Sequence, residues 1–247
     1  MAVINTNVMS LNSQRALMNS QSSMATSLER LSSGLRINRA KDDAAGLAIA
    51  QRFTAQIRGL EQANRNANDG ISLLQTAEGA LDEITNSLQR MRELAVQSAN
   101  ASVNDDDKAS LDLEFQALAS EITRNTTSTK FNGVSIIGAS ATLAFQIGFE
   151  NGDTIDVDTV DVAAESGVAA VLAGDITDVS GANAALDDID SALDELSNLR
   201  ADFGAAQNRL ESVVRNNANI IENQSAARSR VMDADFAKET ANLTRSQ

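Results

Sequence analysis

Residues 53–95 read FTAQIRGLEQANRNANDGISLLQTAEGALDEITNSLQRMRELA, and the architecture follows from how the apolar residues recur along them. Phe53, Ile57, Leu60, Ala67, Ile71, Leu74 and Leu81 fall on one heptad frame, with Asn64 and Glu78 in its gaps. After Leu81 the frame slips by one to Ile84, Leu88, Met91 and Ala95, and such a slip locally overwinds a coiled coil. A continuous helix over this stretch is roughly 65 Å long, more than a compact domain usually needs. Gly59, Gly70 and Gly79 each cost about 1 kcal/mol relative to Ala, so packing and not propensity must hold the helix.

Working outward, Asn104-Asp105-Asp106-Asp107 ends this helix and offers an N-cap to the next. That next helix carries Leu111, Phe115, Leu118 and Ile122 at spacings of four, three and four. The C-terminal third holds another frame through Leu186, Ile189, Leu193, Leu196, Phe203, Leu210, Val214, Ile221 and Val231. Arg200, Gln207, Asn217, Gln224 and Arg228 fill its gaps. Polar seam residues of this kind lower stability but fix register. The first segment is sparser. Val8, Leu11, Met18, Met24, Leu28, Leu31 and Leu35 mark its stripe, among many Ser, Asn and Gln residues, and Ser32-Ser33-Gly34 interrupts it. A helix of this composition is weak without a partner. Three apolar stripes that need each other predict a mostly α fold. It is an elongated, antiparallel-type helical bundle or coiled coil in which both chain ends meet.

The middle of the chain changes period. Leu143, Phe145, Ile147 and Phe149 alternate with Ala144, Gln146 and Gly148; after Asn151-Gly152, Ile155 and Val157 alternate with Asp156 and Asp158. This predicts a small β-hairpin region at about 131–162, closed at Asn151-Gly152 by a turn with two positive φ values. Phe131-Asn132-Gly133-Val134 resembles an earlier turn feeding the same sheet. Residues 163–181, rich in Ala, Gly, Asp, Ser and Thr, read as a short surface connection with one short helix.

Composition narrows the chemistry. The 247 residues carry a formal net charge of −14 and contain no Cys, His, Trp, Tyr or Pro. Without Cys there is no disulfide and no thiolate metal site, and without His there is no Ser-His or Cys-His nucleophile. An acidic chain without stacking rings is a poor partner for nucleic acid. The absence of Pro suits long helices. No basic n-region with an apolar h-region opens the chain, and no run approaches the roughly 18 apolar residues that span a bilayer. The expectation is a soluble protein without membrane insertion, either intracellular or exported without a cleaved signal peptide.

Individual candidates carry little chemistry. Asp156, Asp158 and Asp161 lack the Gly and Glu spacing of a calcium loop and read as a solvated strand face. Asp187, Asp188 and Asp190 follow Gly181-Ala182-Asn183 and read as acidic residues in a first helical turn. The sequons at Asn100, Asn125, Asn223 and Asn242 are common by chance in so Asn-rich a chain. Met9, Met18 and Met24 read as seam fillers. No pair of groups is poised for acid–base work, so no enzyme, no cofactor and no metal is expected.

Four stretches resemble bacterial flagellin. Residues 27–52, SLERLSSGLRINRAKDDAAGLAIAQR, are similar to the family's N-terminal hallmark, and residues 88–100, LQRMRELAVQSAN, to its second. Phe131-Asn132-Gly133 and the stretch from Ala205 through Ala237 also match. The resemblance implies a structural subunit that polymerises into the flagellar filament for motility. It implies export, unfolded, by the flagellar type III system to an extracellular filament. It divides the chain into an inner-tube segment at 1–44, a rod-like helical domain at 45–235 and the start of the C-terminal inner-tube segment at 236–247. The partners it implies are further copies of the chain, an export chaperone, hook-associated and cap proteins, and host Toll-like receptor 5. Receptor and subunit contacts carry over to Gln89, Arg90, Leu94, Gln97 and Glu114, with Arg90 and Glu114 flanking an apolar stripe that includes Leu94. Members usually continue past Gln247 with about one more helix. A chain that ends there is expected to leave residues 1–35 frayed and to form no stable filament alone. The alternatives are a hook–filament junction protein that shares these ends and an intracellular helical binding bundle.

Overall fold

The computed structural model describes residues 7–247. Its elements are helices α1 (Val8–Ser33), α2 (Ala44–Ser98) and α3 (Asp105–Ser128), strands β1 (Lys130–Phe131), β2 (Val134–Ser135), β3 (Gly138–Gln146) and β4 (Thr154–Asp161), a 3-10 turn at Val162–Ala164, and helices α4 (Ser166–Ala173), α5 (Val179–Met232) and α6 (Phe236–Ser246). The fold is mostly α with small antiparallel sheets, as the periodicities predict. It divides into two units, one formed by residues 1–61 with 218–247 and the other by 62–217.

In the unit of residues 62–217 the heptads hold, but their frame differs from the predicted one at every second position. The buried side of α2 runs through Ala63, Ala67, Gly70, Leu74, Ala77, Leu81, Ile84, Leu88, Met91, Ala95 and Ser98, alternating by three and four without a break after Leu81. Asn64, Ile71 and Glu78 lie one residue off this seam and are only half-buried. The change of phase falls earlier, where Ile57, Leu60 and Ala63 are spaced by three and three. On α5 the same substitution recurs: Ala185, Ala192 and Ala206 are buried where the predicted frame has Leu186, Leu193 and Gln207, while Val213 and Val214 both pack against the core half-buried. Small residues win the seam because they let helices approach, while the larger neighbour covers its edge. Leu74, Leu81, Ile84, Leu88 and Met91 are fully buried, each contributing roughly 1.5–3 kcal/mol.

Side chains beside the seam set an antiparallel register. Arg92 Nε donates to Asp190 Oδ1 at 2.8 Å, and Arg200 Nη2 lies 2.8 Å from Asp82 Oδ1. Gln207 Nε2 donates to Glu78 Oε2 at 3.4 Å. Glu78, Arg200 and Gln207, read from sequence as seam gaps, are these flanking contacts. Asn104 caps α3 by accepting from the Asp107 N–H at 2.8 Å, and three Asp residues in the first turn suit the helix dipole.

The β region departs from expectation in three ways. Its strands form two separate two-stranded sheets, β1–β2 and β3–β4. The two positive φ values sit at Asn132 (48°) and Gly133 (83°), which close β1–β2, whereas at Asn151-Gly152 only Gly152 (92°) is left-handed. Side chains widen that second turn. Gln146 Nε2 donates to the Glu150 carbonyl at 2.6 Å, and the Asp153 carboxylate accepts from the Glu150 N–H at 3.3 Å. Ladder pairing therefore ends at Gln146↔Thr154, and Phe149 lies outside the strand. Facing pairs Leu143↔Val157 and Phe145↔Ile155 turn toward the core, while Asp156 and Asp158 are exposed as expected.

Residues 163–181 are not a surface connection. Val168, Val171 and Ile176 are fully buried, as are Ile136 and Ile137 ahead of the hairpin. Glu195 of α5 accepts from the Gly167 N–H at 3.0 Å and from Ser166 Oγ at 2.7 Å, capping α4 from outside. Gly167 is required there, since a Cβ would sit 2.6 Å from the Ala192 nitrogen. Ile176 N–H donates to Asp112, Gln116 to the Gly174 carbonyl, and Ser98 to the Ile176 carbonyl.

In the other unit, α1 ends one residue before Gly34, whose φ of 71° forms the cap. Leu35 is therefore off the helix and bridges to Asp233, while Ile37 is buried. Residues 8–33 form a continuous helix with α6 as its partner; residues 1–6 lie outside the described residues.

Gly79→Ala and Gly204→Ala should each raise the unfolding free energy by about 0.5–1 kcal/mol, because both glycines are helical and nothing lies within 4 Å of an added Cβ. Gly70→Val should lower it, since a Cβ already meets Phe145 at 3.1 Å and Leu210 at 3.2 Å. Urea midpoints compare all three.

Candidate interaction surface

The five residues carried over by resemblance lie near the end of α2 and on α3. Gln89, Arg90 and Gln97 are exposed on α2, and Glu114 is exposed on α3. Leu94 is different. It is 1% exposed and belongs to the hydrophobic core, so it cannot serve as a contact side chain. Heptad position explains this: Leu94 adjoins Ala95 on the buried seam of α2.

Arg90 joins the two helices. Its Nε donates to Glu114 Oε1 at 2.9 Å and its Nη1 to Glu93 Oε2 at 2.8 Å. These bonds, Glu93 first and Glu114 second, raise the guanidinium pKa further above its ordinary value. The exposed apolar groups nearby are Val96 and Leu113, not Leu94. Val96 shares a shallow hollow with Gln89, Arg92 and Glu93. Sequence reasoning missed Glu93 and Val96, although their heptad positions place them outward beside Arg90.

Arg92 turns the other way, to Asp190. Asp190 is not in a first helical turn, because α5 begins at Val179, where Asp178 accepts from the Gly181 N–H at 2.6 Å. The hydrogen bond from Arg92 holds the Asp190 carboxyl below the usual carboxylate range.

A second surface belongs to α1. Among its residues only Ser27 is buried. Val8, Met9, Leu11, Leu17, Met18 and Leu28 are each at least half exposed, Met9 to 79%. So many exposed large apolar side chains on one helix mark a surface for protein contacts.

The N-terminal helical region of bacterial flagellin matches residues 4–142, and the C-terminal helical region matches residues 186–247. The chain belongs to the bacterial flagellin family. It is 48% identical to a flagellin of Halalkalibacterium halodurans over 98% of this chain and 90% of that one. It is 59% identical to a flagellin of Salmonella paratyphi A over 63% of this chain, which spans only 32% of that longer relative. The crystal structure of Bacillus cereus flagellin superposes with a TM-score of 0.57 at 33% identity, covering 62% of this chain and 88% of that one. This flagellin is thus a structural subunit of the flagellar filament, which serves motility.

Arg90→Ala should change stability by less than about 1 kcal/mol, since exposed ion pairs contribute little. Leu94→Ala should cost roughly 2–5 kcal/mol through the cavity it leaves. Chemical denaturation separates the two. A second test uses pH. A carboxyl with a lowered folded-state pKa stabilises the fold above its unfolded value of about 3.9, and the contribution is lost as pH falls through the lowered value. Asp190→Asn should therefore melt below wild type at neutral pH, with the gap closing as pH falls below the unfolded value of about 3.9 and through the lowered one.

Proposed function

We propose that this flagellin assembles with copies of itself through its terminal segments, residues 1–44 and 236–247, while residues 45–235 form the next layer outward. The observation that supports this most is the number of large apolar side chains that stay exposed on α1. Export in an unfolded state through the flagellar type III channel suits a chain with no Cys, which has no disulfide to reduce or reform. The protein is secreted, and an export chaperone, hook-associated proteins and the cap are its partners on the way. Its work is structural and not catalytic. Among the described residues no helix is long and apolar enough to cross a membrane. Gln89, Arg90, Gln97 and Glu114 supply the α2–α3 surface for neighbouring subunits and for host Toll-like receptor 5, with Val96 and Leu113 in place of Leu94 as its apolar part.

In cells whose only filament subunit carries Leu17→Ser and Met18→Ser, shearing should release no filaments, and unassembled subunit should appear in the medium. The melting of residues 62–217 should stay at the wild-type temperature. Normal filaments on electron microscopy would remove α1 from the assembly contact. Arg90→Ala protein, folded as before, should signal less through the receptor than wild type.

A further inference from the structure

Helix α6 is attached to α1 in a way its composition does not suggest. Its one buried residue is Glu239, 6% exposed. Phe236, the largest apolar residue of the helix, is 69% exposed. The one buried residue of α1 is also polar: Ser27, whose Oγ donates to Glu239 Oε2 at 3.2 Å. Arg30 Nη1 donates to Glu239 Oε1 at 3.1 Å, while its Nε is buried and has no acceptor. At the last residue of α6, Ser20 Oγ donates to the Ser246 carbonyl at 2.8 Å. The groove around these contacts is lined by Ser22, Ser23, Thr26, Asn242 and Arg245, with no apolar side chain among them.

The start of α6 and its point of departure are fixed outside this docking. Asp235 caps the helix by accepting from the N–H groups of Ala237 and Lys238. The chain just before it is pinned to the end of α1: Arg36 N–H donates to the Met232 carbonyl at 2.6 Å, and Ala234 N–H to the Gly34 carbonyl at 2.9 Å. Helix α6 is therefore a capped strap on a fixed hinge.

We propose that Glu239 is the latch that closes this strap onto α1. A buried carboxylate is tolerated only where cations and hydroxyls meet it, so the contact works at one position and one helix face. Rotation of α6 to bury Phe236 would leave Ser27 without its acceptor and Arg30 without its ion-pair partner. A polar latch holds the strap in a defined place, and its loss opens the strap without loss of the hydrophobic core around Leu88, which lies in the other unit. The proposal does not rest on the filament reading.

The chain has no native cysteine, so a Ser20→Cys, Ser246→Cys pair reports closure by its rate of disulfide formation. In that background Glu239→Leu should slow the cross-link at least roughly tenfold, as expected when a buried ion pair loses a partner. Arg30→Met, which strands the carboxylate, should slow it as much. Glu239→Gln should fall between, because the amide oxygen still accepts one hydrogen bond. Phe236→Ser should leave the rate unchanged. A wild-type rate in both Glu239→Leu and Arg30→Met, or an equal slowing by Phe236→Ser, would overturn the latch. Amide protection at Leu88 should be the same in every variant; its loss in Glu239→Leu would place the residue in the core's stability and overturn the proposal as well.

Discussion

Close approach along a seam of small residues is the constraint on which the unit of residues 62–217 depends. Ala63, Gly70 and Ala77 on α2, and Ala185, Ala192 and Ala206 on α5, occupy alternate heptad positions on the buried sides. Larger residues there would hold the helices apart and leave voids beside Leu74, Leu81 and Leu196. The seam also seats the hairpin. Phe145 of β3 reaches Gly70, where even one added carbon would press on the ring. Asn66 and Asn217, one from each long helix, donate to the carbonyls of Gln146 and Ile147 at 3.0 and 2.9 Å and hold the end of that strand in place. The segment around α4 enters the same core by the same device, with Gly167 against the backbone of Ala192.

The unit formed by the chain ends follows another rule. There most of the large apolar side chains of α1 stay exposed, Met24 and Leu31 are only half-buried, and the fully buried contacts with α6 are polar. Aliphatic burial in the first unit is tolerant of where each methyl group lies, so long as volume is kept. The carboxylate contact of Glu239 is not tolerant, since its alternatives leave a buried charge unpaired. One unit holds the large hydrophobic core, and the other holds a defined polar contact with large apolar side chains exposed beside it.

Ion pairs play a directing part in the unit of residues 62–217. Arg92–Asp190 and Arg200–Asp82 are at least a third exposed, so they add little to stability but are compatible with one antiparallel register only. Arg90 similarly ties α2 to α3 beside the surface proposed for contacts, and its fork leaves Gln89 and Gln97 unengaged on the same helix.

The amino-acid sequence by itself determined the long helices, the cap at Asn104, the stop at Gly34 and the family, though not the starts of α2 and α5 or the break before α6, because 3.6-residue periodicity, capping chemistry and long motif runs are local properties. It did not determine which side of each heptad faces inward. Apolar size favoured Ile71 and Leu186, and close packing chose Gly70 and Ala185. Nor did it separate the two Asn-Gly turns: the same dipeptide takes two left-handed residues at 132–133 and one at 151–152, because Gln146 and Asp153 hydrogen-bond into the second loop. Leu94 read as a surface contact because its motif is one, and only the packing of α2 placed it in the core. Ile136, Ile137 and residues 166–176 went unnoticed as core because short aliphatic runs carry no period. Burial there depends on partners far along the chain, and tertiary structure alone brings those partners together.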